Sequence, residues 1–211
     1  MIRLFARPMP LVLLLAFATF IPVMMAGVRL VQIPSGLLPD DSLRLNVAPL
    51  SHWLHALAGV LFGLLGPLQF GRALRARFGA LHRLSGRVFV LAGLVMALSG
   101  LSLLLRVESI ATPLLEIARA TFSAALIAAL ALGVRAAQAR DRARHRAWMI
   151  RGYAIGMGGA TVALVMFPIH LATGAPVTGL ASDLVFVGWW LVTIAIGERV
   201  IRFAQHKETL A

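Results

Sequence analysis

An all-α bundle of six transmembrane helices, with both termini in the cytoplasm, is the fold that this sequence predicts. Three observations predict it. Of the 211 residues, 60% are hydrophobic and only 13% are charged, and the mean hydropathy is +0.88; soluble domains carry about 25% charged residues. Six apolar stretches are each close to the roughly 20 residues that a helix needs to cross hydrocarbon. The basic residues gather in alternate connections between those stretches. The bilayer takes the place of a soluble core, and no connection is long enough to fold alone. Residues 1–211 therefore read as a single transmembrane domain.

The first span is expected over about 11–30, after Arg3 and Arg7. A basic start before an apolar run also describes a signal peptide, and Met25-Ala26-Gly27 offers a weak cleavage site. The run is longer than most such regions and Pro22 interrupts it, so a retained helix is expected. Residues 31–49, with Pro34, Gly36, Pro39, Asp40, Asp41 and Pro49, read as a polar loop with an interfacial turn. The second span, 50–70, carries His52 and His55 near its start and Gly59, Gly63 and Gly66 along one side. Small residues four apart let helices approach closely. Arg72, Arg75, Arg77, Arg83 and Arg87 fill the next connection, ahead of a third span at 88–105. A short turn leads to the fourth, 114–134. Four arginines and one aspartate within 135–144 precede the fifth, 148–171. An uncharged loop with Gly174, Pro176 and Gly179 leads to the sixth, 184–201, and a short tail with Lys207.

Nineteen of the 20 basic residues are arginine. Sixteen fall on the side of the termini and three, Arg29, Arg44 and Arg106, on the other, with Arg119 inside a span. Positive residues mark the cytoplasmic side, so both termini are expected there, in a cell inner (plasma) membrane. The net charge of +12 would suit nucleic acid, but short arginine loops between spans face anionic headgroups instead. Membrane lipids are the expected partners, and nucleic acid is not. There is no cysteine, which removes disulfides, Cys-ligated iron–sulfur clusters and thiolate catalysis. No HExxH, P-loop or GxSxG motif is present, and no catalytic residue is assigned. Gly156-Met157-Gly158-Gly159 lies inside an apolar span with no strand before it, which suits helix packing rather than a dinucleotide.

Three segments carry a resemblance: HALAGVLFGLLGPLQF from His55, LHRLSGRVFVLAG from Leu81 and HRAWMIRGYA from His145. Together they resemble a bacterial membrane-protein family, domain of unknown function 2306. The matching positions are His55, Gly59, Gly66, Pro67, Gln69 and Phe70 in the first segment and His82, Arg83, Gly86 and Arg87 in the second. In the third they are His145, Arg146, Trp148, Met149, Arg151 and Tyr153. The resemblance spans 55–153, nearly half of the chain. It implies a multi-span helical membrane protein and no established activity.

Histidine is the residue type with the most chemistry here, because neutral imidazole ligates metals and haem. Topology sorts the histidines into two layers. His82 and His145 stand at the inner ends of spans three and five; His52, His55 and His170 stand at the outer ends of spans two and five. His145 and His170 are 25 residues apart. On one helix that is roughly 37 Å, more than the roughly 30 Å of hydrocarbon, and Pro168 opposes a straight helix. One site is therefore expected rather than two stacked ones, with haem b as the cofactor to consider: His82 and His145 meeting at the inner surface, or His55 and His170 meeting at the outer one with His52 and Met166 close by. His82 and His145 are expected to converge.

Arg83, Arg87, Arg146 and Arg151 lie beside the inner histidines, where guanidinium forks suit phosphate or carboxylate. Glu116, Arg119 and Asp183, with His55, are expected to form a polar outer pocket. Blander roles stand beside each: headgroup contacts for the boundary histidines, orientation for the arginines, and snorkelling with a local Glu116 pair for Arg119. The leading functional class is a haem- or metal-binding redox protein. The alternatives are a small-solute, lipid or ion transporter using the outer pocket, and a non-enzymatic assembly protein with a membrane-protein partner.

Overall fold

The computed structural model describes residues 8–209, with side chains described for 12–40, 42–71 and 75–206. Every regular element among them is a helix, and six stretches are long and apolar enough to cross a membrane. This is a multi-pass membrane protein. Its contacts divide it into two compact units, Met1–Val107 and Glu108–Ala211.

The first unit opens with α1 (Pro8–Ser35). Pro22 lies in its interior, as membrane helices tolerate. The helix stops at Gly36, whose φ of +68° is left-handed. There the Leu37 N–H reaches back to the Gln32 carbonyl at 3.0 Å, a closing bond that glycine permits without strain. A 3₁₀ helix, Asp40–Val47, occupies the connection. Then α2 (Pro49–Gln69) begins with proline at its first turn, where a missing N–H costs nothing. After the short α3 (Arg72–Arg77) comes α4 (Gly79–Arg106). α2 packs against both α1 and α4.

Phe62 of α2 and Phe89 of α4 are fully buried and stack at 4.3 Å between centroids with 14° between planes. Gly63 and Gly66 are buried beside them. Gly59 is not part of that seam: a Cβ there would meet nothing within 4 Å. Near the α3 end, the Gln69 amide donates to Ser85 Oγ at 2.7 Å. A Cβ on Gly86 would stand 3.1 Å from Gln69 Oε1, so glycine leaves room for this polar bridge. Gln69 and Gly86, two of the residues that carry the resemblance, thus meet in space.

The second unit contains α5 (Pro113–Gln138), α6 (Arg142–Thr161), α7 (Ala163–Thr173) and α8 (Gly179–Thr209). α6 packs against both α5 and α8. Its glycines do act as packing residues. The Trp190 ring lies so close to Gly158 and Gly159 that a Cβ on either would run into it, and a Cβ on Gly197 of α8 would stand 3.2 Å from Ala154 Cβ. The Trp190 indole N–H donates to the Ile155 carbonyl at 2.9 Å, and its ring rests on Phe122 at 4.7 Å.

The helices run beyond the expected spans: α1 reaches Ser35 rather than 30, and α8 covers Gly179–Thr209 rather than 184–201. α4 begins at Gly79 rather than at 88, and α6 at Arg142 rather than at 148. Arginine favours helix without being apolar, so the helices outrun the hydrophobic stretches that reveal them. The fifth span is also two helices, broken at Val162. Thr161 Oγ1 bonds back to the Met157 carbonyl at 2.8 Å, a contact that bends helices. The Val165 N–H then turns back to Val162 at 2.9 Å. No single straight helix joins His145 to His170, as expected, but the break is at Val162 and Pro168 lies inside α7, which runs on to Thr173.

Candidate functional site

The α5–α6 turn is built from two opposed caps. After α5, Arg140 adopts a φ of 59°. Its N–H bonds to the Ala137 carbonyl at 3.0 Å, and the Asp141 N–H bonds to the Ala136 carbonyl at 2.9 Å. This is the paired closure of a Schellman motif, with arginine where glycine is usual; the left-handed conformation costs arginine about 1–2 kcal/mol. Asp141 then caps α6, its Oδ1 accepting from the Arg144 N–H at 2.9 Å. The turn folds α6 back onto α5 so closely that a Cβ on Gly133 would run into Met149 Cε and stand 3.3 Å from Trp148 Cβ.

That close approach brings His145 Nδ1 to 2.8 Å from the Gly133 carbonyl oxygen. A carbonyl oxygen only accepts, so Nδ1 carries the hydrogen. In the neutral ring, Nε2 is then left with its lone pair. His145 is half-buried, and with the exposed Ala137, Arg140 and Arg142 it lines an open surface cavity of about 470 Å³. Two arginines, whose guanidinium groups only donate, and one histidine thus border the same space. Acidic oxygens are the groups that such a lining accepts best.

The other arginines are placed differently from one another. Arg151 faces α8, where its Nε and Nη2 donate to Glu198 Oε1 and Oε2 at 2.6 and 3.0 Å. Its guanidinium also lies 4.7 Å from the Trp148 ring centroid. Its fork is thus filled by the protein's own carboxylate. Arg146 is half-buried on α6, and Arg83 and Arg87 are exposed on α4. His82 is half-buried in the first turns of α4.

His55 tethers α2 to α4, its Nδ1 at 3.0 Å from the Met96 carbonyl and 3.3 Å from Ser99 Oγ. Ser99 and His82 are seventeen residues apart on α4, about 25 Å along the axis. His55 and His82 therefore occupy opposite ends of the first unit. His52 is buried, and its Nδ1 has no hydrogen-bond partner among the described residues.

In the second unit, His170 is exposed near the end of α7, and its carbonyl accepts the Gly174 N–H at 2.9 Å. Asp183 is buried, only 2% exposed, and its Oδ2 accepts the Thr112 N–H at 2.7 Å. Thr112 is the residue before α5, so Asp183 comes to the end of α5 that holds Glu116. Glu116 is half-buried there and Arg119 is exposed. Among the described residues, no three His, Asp or Glu side chains gather as metal ligands.

The sequence pointed to His145 and to arginines near it, but not to Arg140 and Arg142 as the ones that share its cavity. Nor did it single out Gly133, whose contribution is a main-chain carbonyl. Glu198 was missed despite a usable signal: a carboxylate within an apolar span requires a partner.

A protein-family model described as "Predicted membrane protein (DUF2306)" matches residues 52–201. No curated protein and no solved structure matches the chain.

Proposed function

Because the chain belongs to the DUF2306 family of predicted membrane proteins, we propose for it a function that its own residues support. It is an inner-membrane protein, with both termini cytoplasmic, that holds the anionic headgroup of a membrane lipid at the α5–α6 turn. The observation that carries this reading is the cavity lined by Arg140, Arg142 and the tethered His145. The sixteen-to-three arrangement of basic residues supports a cytoplasmic location for that turn, where anionic headgroups concentrate. Thermal unfolding of the detergent-purified protein tests it. Added anionic phospholipid should raise the midpoint, and phosphatidylcholine should not. Arg140→Ala with Arg142→Ala should remove the difference. An unchanged response in that double variant would overturn the reading.

One observation favours a second reading. With Nδ1–H engaged by Gly133, Nε2 of His145 is the nitrogen left to ligate, as in histidines whose second nitrogen is held while the first ligates a metal. His145 would then be an axial ligand of a b-type haem, and Arg140 and Arg142 would hold its propionates. A Soret band in the purified protein, lost in His145→Ala, would put this reading first. Transport through the Glu116, Arg119 and Asp183 region has less support, because Asp183 is engaged as a cap of α5.

A further inference from the structure

We propose that the first unit holds a small anion, a phosphate or carboxylate group, at Arg29 of α1 and His52 of α2. This site belongs to the other unit from the α5–α6 turn and does not depend on the headgroup reading above.

Arg29 is half-buried near the end of α1. Its Nη1 donates to Gln32 Oε1 at 3.0 Å and its Nη2 to Ser42 Oγ at 2.9 Å. Those bonds use two of the five N–H donors that a guanidinium carries. Both acceptors are neutral, so they leave its charge unbalanced. Among the described residues no carboxylate pairs with Arg29, and Asp40 of the same connection is exposed. Arg151, by contrast, has its fork filled by Glu198.

His52 stands in the first turn of α2 and is only 8% exposed. Its Nδ1 is buried without a hydrogen-bond partner. Arg29 and His55 are near enough for their charges to act on it. The Nδ1 of His55 is already taken up by the Met96 carbonyl and Ser99 Oγ. A buried nitrogen left unmet by the protein points to a group from outside it.

An anion answers both side chains. Its acidic oxygens accept from the N–H groups that Arg29 has left and balance the guanidinium charge. They also accept from His52, whose Nδ1 is free to carry a hydrogen because no other group claims it. The start of α2 has no side-chain cap, so the positive end of its dipole adds to the same attraction. A water molecule would satisfy His52 but bring no charge to Arg29. On the topology proposed above this connection is external. There the anion comes either from a phospholipid headgroup or from solution.

The test uses delipidated protein in a non-ionic detergent, with Arg140→Ala and Arg142→Ala in place so that the α5–α6 turn contributes nothing. Inorganic phosphate is titrated and the thermal midpoint followed, with sodium chloride at matched ionic strength as the reference. The midpoint should rise to saturation with phosphate and not with chloride. Arg29→Gln should abolish that rise. Arg106→Gln, which removes the same charge from an exposed position of the same unit, should keep it. His52→Leu should weaken phosphate binding about tenfold, the worth of one hydrogen bond to a charged group. Its phosphate-free midpoint should stay level or rise, because a buried nitrogen without a partner is gone; a purely structural His52 would lower it. No rise above chloride, or a rise that survives in Arg29→Gln, would overturn the proposal. Should Arg29→Gln fail to fold without its hold on Ser42, undiminished phosphate binding in His52→Leu would overturn it instead. Native mass spectrometry of protein that keeps its lipids separates the sources: a phospholipid lost in Arg29→Gln assigns a headgroup, and equal retention assigns a soluble anion.

Discussion

Arg151 and Glu198 are joined by two hydrogen bonds, 2.6 Å from Nε to Oε1 and 3.0 Å from Nη2 to Oε2, which clasp α6 to α8. Both side chains are 31% exposed, so the pair lies between a screened surface bridge and a fully buried one. Removing either partner leaves a half-buried ion without its counterion. Arg151→Ala and Glu198→Ala are each expected to cost about 1–3 kcal/mol, and the double variant less than their sum. Unfolding of the three variants in one detergent gives the coupling energy; strictly additive losses would contradict the clasp.

The same helix pair makes a sharper steric prediction. A Cβ on Gly158 would enter the Trp190 ring, whereas a Cβ on Gly188 would meet nothing within 4 Å. Gly158→Ala should destabilise the protein by about 1–3 kcal/mol through overpacking. Gly188→Ala should be neutral, or stabilising by up to about 1 kcal/mol through helix propensity. Unfolding midpoints of the two variants distinguish these outcomes. Equal effects would mean that α8 does not seat on the glycines of α6.

Asp183 should behave as a helix cap. Its Oδ2 satisfies the Thr112 N–H at the start of α5, so Asp183→Ala should cost about 0.5–2 kcal/mol. A loss of stability without a change in lipid binding at the α5–α6 turn is expected from unfolding and titration of the same sample. A variant as stable as the parent would remove the capping role.

How much of this was legible in the sequence follows from the kind of force involved. The six spans were legible because hydrocarbon demands a long apolar run, and composition records that directly. The starts of α4 and α6 were not, because Gly79–Arg87 and Arg142–Ala147 are helical while remaining polar. His145 stood out as an imidazole at a span boundary. Its partner did not, since a main-chain carbonyl such as that of Gly133 has no residue-type signature. The Arg151–Glu198 clasp joins residues 47 apart in the chain, a register that only the packing of α6 on α8 determines. The break at Val162 was not legible: Pro168 was the visible signal against a straight helix, but the break lies six residues before it, at the Thr161 back-bond.

Topology is tested independently of any ligand. Sixteen basic residues against three predict that reporters fused after Ala211 give a cytoplasmic signal and reporters inserted within 174–178 give an external one. A cytoplasmic signal from the 174–178 insertion would reverse the assignment and remove the α5–α6 turn from the cytoplasmic leaflet.

The central claim is that an anionic headgroup sits in the cavity of Ala137, Arg140, Arg142 and His145. Photo-crosslinking with a phosphatidylglycerol that carries a photoactivatable group on its headgroup, followed by peptide mapping, tests it most directly. Labelling should concentrate on residues 137–145, be competed by unlabelled phosphatidylglycerol and fall sharply in the Arg140→Ala, Arg142→Ala variant. Label spread evenly over the arginine-bearing segments, or unchanged in that variant, would contradict it.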